Sequence, residues 1–130
     1  MKKKILITDD EMDMRIFMST LVETAGYTPI ATRNGKEGLR KVKEEKPDLI
    51  ILDVMMPGEG GAQMYRELRT DHEMQKIPVI MLSGVGKKAF FHYLNMLNIG
   101  SDVGVAQPEA YIEKPPDPDE MLALIHSLLK

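Results

Sequence analysis

Apolar positions along this chain of 130 residues recur with two different periods, and the two alternate from one end to the other. Unbroken apolar runs too short for a helix mark strands buried on both faces. Ile5, Leu6 and Ile7 form one, Leu49 to Leu52 another and Val79 to Leu82 a third, with weaker candidates at Thr28 to Thr32 and Ala110 to Glu113. Between the runs the spacing turns helical. Met14, Phe17, Met18, Leu21, Val22 and Ala25 make the first stripe, and Gly26 supplies its left-handed stop. Asn34 is placed to cap a second helix reaching about Glu45, a thin one with Leu39 and Val42 as its main apolar residues. Gly58, Gly60 and Gly61 lead into a third, around Ala62 to Arg69, packed by Met64, Tyr65 and Leu68. A fourth runs from Lys87 to about Ile99 with Phe90, Leu94 and Leu97 inward. The fifth has the clearest start, with Asp117 as N-cap, Pro118 first in the helix and Glu120 three residues after the cap. Its stripe is Met121, Leu122, Ile125, Leu128 and Leu129.

Five strands alternating strictly with five helices predict an α/β fold, a doubly wound five-stranded parallel sheet with helices on both faces. The flavodoxin-like strand order 2-1-3-4-5 makes the first and third strands neighbours. The polar residues that end the strands then acquire a pattern. Asp9 and Asp10 end the first strand, Asp53 the third, Ser83 the fourth, and Lys114 follows the fifth. Singly, each is ordinary loop chemistry. Together they lie along one edge of the sheet, the carboxyl edge, where open α/β sheets form their ligand crevice.

Three carboxylates brought together there repel, by roughly 4 kcal/mol per pair at about 4 Å and an effective dielectric near 20. A cation must offset that. The chain has no cysteine, and His72, His92 and His126 all lie away from the strand ends, so the donors are all oxygen. Such a set suits Mg²⁺ or Mn²⁺ rather than zinc. Magnesium keeps sites for water and a phosphoryl oxygen, and Lys114 with Ser83 would serve the remaining oxygens of a phosphoryl group.

Composition narrows the classes further. A net charge of −3 provides no global field to hold nucleic acid or an anionic membrane. No apolar run approaches the roughly 20 residues of a membrane span, and nothing after Met1 reads as a signal peptide. A single cytoplasmic domain over residues 1–130 is expected, with no direct contact to nucleic acid or membrane.

The acidic pair Asp9-Asp10, the run Asp53, Met56 and Pro57, Gly61, Ser83, Tyr111 and Lys114-Pro115 together resemble the receiver domain of bacterial two-component response regulators. The resemblance covers the whole chain, and as a set it is highly specific. It implies that Asp53 accepts a phosphoryl group from a histidine kinase or phosphotransfer protein, making the domain a self-modifying switch rather than an enzyme turning over a separate substrate. Asp10, Asp53 and the backbone carbonyl of Met55 would bind the metal directly and Asp9 through water. Lys114, joined to Pro115 by a cis bond, would pair with the carboxylate and then the phosphoryl group. Ser83 would take a phosphoryl oxygen and shift, letting Tyr111 turn inward. The switched surface would comprise the fourth helix, fifth strand and fifth helix, meeting a downstream protein or a second copy of the chain.

Several residues depart from the family pattern: Thr8, Gly84, Pro116, and above all the interval of 31 residues from Ser83 to Lys114, several longer than usual. Phe91, Tyr93 and Met96 fall off the inward stripe of the fourth helix, so some of that aromatic surface is expected to be exposed or covered only by Gly100 to Pro108. Other classes fit less well. An acidic first loop would repel the phosphate of a flavin. Met55 stands where a haloacid-dehalogenase-type phosphatase has its second Asp. The runner-up, a phosphorylation-independent interaction domain of the same fold, would be expected to lose acids or the lysine, and none is lost.

Overall fold

In the computed structural model, which describes residues 2–54, 60–96, 99 and 105–130, strands and helices alternate throughout. In order they are β1 (Lys4–Thr8), α1 (Met12–Thr24), β2 (Thr28–Thr32), α2 (Gly35–Glu45), β3 (Leu49–Asp53), α3 (Gly61–Thr70), β4 (Val79–Ser83), α4 (Lys87–Met96), β5 (Ala110–Glu113) and α5 (Pro118–Leu128). The strands form one parallel sheet in the order β2-β1-β3-β4-β5, as the alternation predicts. Every residue of β3 and β4 is buried, which is why both read as unbroken apolar runs.

Strand alternation sends successive side chains to opposite layers. Leu6, Ile50, Leu52, Val79 and Met81 pack with Val42 of α2, Met64, Tyr65 and Leu68 of α3, and Phe90 and Leu94 of α4. Ile5, Ile7, Leu49, Ile51, Ile80 and Leu82 face the other way, onto Met18 and Val22 of α1 and Met121 and Ile125 of α5. Each large side chain so buried stabilises the fold by about 1.5–3 kcal/mol over leaving it in water. The caps are where they were expected. Asn34 Oδ1 accepts from the Glu37 N–H at 2.8 Å, and Asp117 Oδ2 from the Glu120 N–H at 2.8 Å.

Several details differ from the expectation. Leu124, outside the expected stripe of α5, packs half-buried on the core beside Leu128, whereas Leu122 is half-buried without joining that cluster. Phe91 and Tyr93 are half-buried against the α3 side of the core, so of Phe91, Tyr93 and Met96 it is Met96, 70% exposed, that stands clear. α2 is thin because glycine does its packing. A Cβ on Gly38 would lie 2.8 Å from both Thr8 Oγ1 and Met64 Sδ. Thr8 belongs to β1, and its buried hydroxyl bonds Thr32 Oγ1 at 2.8 Å, which in turn donates to the Ile7 carbonyl at 3.1 Å. Leu97, named above for packing, lies outside the described residues, as do Met55, Met56, Pro57, Gly58 and Gly100.

At the amino edge of the sheet a nearly enclosed arginine joins several elements. Arg69, at the end of α3 with its side chain 5% exposed, donates from Nη1 to the carbonyls of Gln75 and Ile77, each at 2.9 Å. Its Nε donates to Tyr65 Oη at 2.9 Å, and its Nη2 to Glu109 Oε1 at 2.5 Å. Glu109 also accepts from the Val79 N–H, and Tyr65 donates to the Ala106 carbonyl. The stretch leading into β5 is thereby fastened to α3 and to the start of β4.

Candidate functional site

Sheet register brings the acidic residues together. Thr8 of β1 pairs with Leu52 of β3, so the chain reaches Asp9 and Asp53 side by side as both strands end. On the far side Ser83 pairs with Glu113, and the Lys114 N–H donates to the Ser83 carbonyl at 2.8 Å. Lys114 is therefore held by its backbone two strands from Asp53, with an arm long enough to reach back. Its bond to Pro115 is cis.

The Lys114 ammonium stands 2.8 Å from Glu11 Oε1, 2.9 Å from Asp9 Oδ2 and 3.2 Å from Asp53 Oδ2. Asp9 is fully buried and Asp53 is 3% exposed, while Asp10 faces solvent. Carboxylate oxygens of Asp9, Asp10 and Asp53 lie within 4.8 Å of one another. At that separation each pair repels by roughly 3 kcal/mol at an effective dielectric of about 20. One ammonium does not balance four carboxylates. Burial works to lower the Lys114 pKa, but the carboxylates of Glu11, Asp9 and Asp53 outweigh it and hold it well above the ordinary lysine value. The hydrogen bond from Lys114 and its charge hold Glu11 below the usual carboxylate range.

The arrangement suits a hard cation. Asp9 Oδ1 accepts from the Glu11 N–H at 2.9 Å, but its Oδ2 has no hydrogen bond, meeting the ammonium only as a charge off the line of one. A buried carboxylate oxygen in that condition is costly unless a further cation reaches it. The donors are all oxygen, as Mg²⁺ and Mn²⁺ prefer. The cluster can hold a metal ion. The Met55 carbonyl, expected as another ligand, lies outside the described residues.

Two further features shape the site. Gly61, first residue of α3, lies so close to the end of β3 that a Cβ there would fall 2.1 Å from the Asp53 carbonyl oxygen. Ser83 is fully buried, its Oγ accepting from the Val85 N–H at 3.2 Å. The Tyr111 ring stacks on Phe90 with centroids 4.0 Å apart, and its hydroxyl donates to the Val85 carbonyl at 2.5 Å. Burial, with the Glu113 carboxylate behind it, raises the Tyr111 pKa. Ser83 and Tyr111 thus meet at Val85, whose two backbone groups they share.

The structure brings together Asp9, Asp10, Asp53 and Lys114, and places Ser83 at the next strand end with Tyr111 beyond it. Sequence reasoning missed the reach of Glu11 to Lys114 and the bond from Arg15 Nη1 to the Asp9 carbonyl at 2.9 Å. The acidic residue directly after Asp9-Asp10 was the available signal for the first. Arg15 carries none, because its partner is a backbone group.

Comparison with known proteins is consistent with this geometry. The family model described as "Response regulator receiver domain" matches residues 5–126. The "Probable transcriptional regulator ycf27" of Cyanophora paradoxa is 37% identical over 99% of this chain and 49% of its own length. The "Polar-differentiation response regulator DivK" of Brucella anthropi is 33% identical over 98% of this chain and 96% of its own. The chain spans about half the length of the first curated relatives it matches. Among solved structures, the chemotaxis protein CheY4 of Vibrio cholerae superposes with a TM-score of 0.82 at 25% identity, covering 99% of this chain and all of that one.

Proposed function

Because the chain belongs to the response regulator receiver domain family, whose members are signalling domains suited to phosphorelays, we propose that Asp53 is the phosphoryl acceptor of this one. The observation that carries the reading is the nearly buried Asp53 carboxylate with the Lys114 ammonium at 3.2 Å and two more aspartates beside it. An Asp53 Oδ attacks the phosphorus of a kinase's or phosphotransfer protein's phosphohistidine. The P–N bond breaks, the imidazole leaves with the electron pair and takes a proton from water, and an acyl phosphate remains. Such a transfer asks of the protein mainly positioning and charge neutralisation. The domain modifies itself and turns over no separate substrate.

Asp10 and Asp53, with the Met55 carbonyl, would hold Mg²⁺ or Mn²⁺ directly and Asp9 through water. The ion supplies positive charge for the phosphoryl oxygens. Lys114 pairs with the acceptor and then with the phosphoryl group. Ser83 Oγ turns from the Val85 N–H to a phosphoryl oxygen, which loosens the turn that Tyr111 holds through the Val85 carbonyl. The face of α4, β5 and α5 then meets a downstream protein or a second copy of the chain. We place its work in the cytoplasm; no helix among the described residues is long and apolar enough to cross a membrane. We take residues 1–130 as one receiver domain, acting without direct contact to nucleic acid. Mass spectrometry after incubation with acetyl phosphate and Mg²⁺ should show one added phosphoryl group, absent in Asp53→Asn. Full labelling of that variant would sink the assignment.

A further inference from the structure

Glu11 occupies the N-cap of α1, a place where short side chains such as Asp, Asn or Ser normally turn back onto their own helix. It makes no such bond. Its carboxylate instead reaches a residue 103 positions away, and its 2.8 Å bond is the shortest of the three contacts on the Lys114 ammonium. The backbone of Glu11 is fixed at both ends, its N–H by Asp9 Oδ1 and its carbonyl by the Arg15 N–H. Only the side chain is free to move, and at 62% exposure it can leave Lys114 for water at small cost. Asp9 and Asp53 have no such freedom, being enclosed.

Building on the reading of Asp53 as acceptor, we propose that Glu11 is a positioning residue that holds the Lys114 ammonium at the mouth of the site until a phosphoryl group on Asp53 takes it over. Three carboxylates crowd this one ammonium, Glu11 and Asp53 accepting hydrogen bonds from it and Asp9 meeting it as a charge. The share taken by Glu11 is charge withheld from Asp53. That has two opposite consequences. Before phosphorylation it keeps the lysine from neutralising Asp9 and Asp53 fully, so more of their attraction is left for the metal ion. After phosphorylation it is a competitor that must be displaced, which weakens the modified state. The exposed partner gives way because solvent replaces most of what it loses, whereas the phosphoryl oxygens lie inside the cleft.

Glu11→Gln keeps the size of the side chain and removes its charge. Calorimetry on the full chain, with Mg²⁺ alone and then with beryllofluoride in saturating Mg²⁺, reads the two consequences separately. Mg²⁺ affinity should fall, and beryllofluoride affinity should rise, each by about two- to fivefold, the range set by an exposed ion pair. In the Lys114→Ala background the gain in beryllofluoride affinity should vanish, since no ammonium remains to be released. Parallel loss of both affinities would mark Glu11 as merely structural, and a gain that survives Lys114→Ala would show a bare charge effect. Either overturns the proposal, as do two unchanged affinities when the wild type binds normally. Failure of the wild type itself to bind beryllofluoride would instead overturn the acceptor reading.

Discussion

Replacing Gly61 by Ala would place a methyl carbon 2.1 Å from the Asp53 carbonyl oxygen, 2.7 Å from Val54 Cα and 2.9 Å from the Asp53 carbonyl carbon. All three are backbone atoms at the end of β3, so no side chain can swing aside. Ordinary contact begins at 3.4 Å, which leaves about 1.3 Å to be found by moving α3 or the strand end. Ala returns about 0.5–1 kcal/mol through its helix propensity and the entropy it removes from the unfolded chain. Overpacking costs about 1–3 kcal/mol, and a clash with backbone belongs at the upper end. The net loss is then about 1–2 kcal/mol. For a domain of this size that lowers the melting temperature by about 4–8 °C. The effect on chemistry should be larger, because displacing a reacting group by about 1 Å can cost on the order of 100-fold in rate. Thermal melts, followed by mass-spectrometric timing of labelling by acetyl phosphate, measure both. Gly84→Ala is the control: it borders Ser83, yet a Cβ there meets nothing within 4 Å, so stability should stay level or rise slightly. A Gly61→Ala protein as stable and as fast as the wild type would refute the reasoning.

Arg69→Met should cost about 2–4 kcal/mol, since it strips the donor from Glu109 and from the carbonyls of Gln75 and Ile77. Hydrogen exchange should quicken across 105–109, and unchanged protection there would show that the arginine is not what fastens the stretch. Lys114, Tyr65 and Tyr111 all keep their protons more tightly folded than their ordinary values of 10.5 and 10.0 imply. Above that range the unfolded chain has lost protons that the native state retains, so stability should be level to about pH 9.5 and fall as pH rises further. At the acid end Glu11, held below 4.5, should lose its contribution as pH drops through its folded value. Melting temperatures followed across both limbs check the signs, and a flat alkaline limb would contradict the first.

The sheet was legible because a parallel strand covered on both faces is apolar throughout and then ends abruptly in polar residues, as at Leu49 to Asp53. Once the strand order is known, Asp9, Asp10 and Asp53 must converge, since the order makes their strand ends neighbours, and Lys114, two strands away on the same edge, reaches them with its long arm. Helix starts were legible at Asn34 and Asp117, where the cap acts within three residues. What escaped depends on distances that no local spacing carries. Glu11 looked like one more loop acid, though its partner lies across the sheet. Arg69 in the last turn of α3 resembles any solvated basic residue at a helix end, yet it is enclosed because the chain folds back over it with acceptors. Gly61 was recognised as opening α3, but the reason only glycine fits is the nearness of another element's backbone. Phe91 and Tyr93 are half-buried, though off the inward stripe, because that stripe is wider than its central line and residues flanking it still touch the core.

The fastening around Arg69 also bears on the opposite edge of the sheet, where the carboxylates lie. From Ala106 onward the chain enters β5 from a point tied to α3 and to the start of β4, and Lys114 follows directly after that strand. The register of β5 with β4, and with it the reach of the lysine to Asp53, is thereby held from the amino edge of the sheet as well as from the site itself.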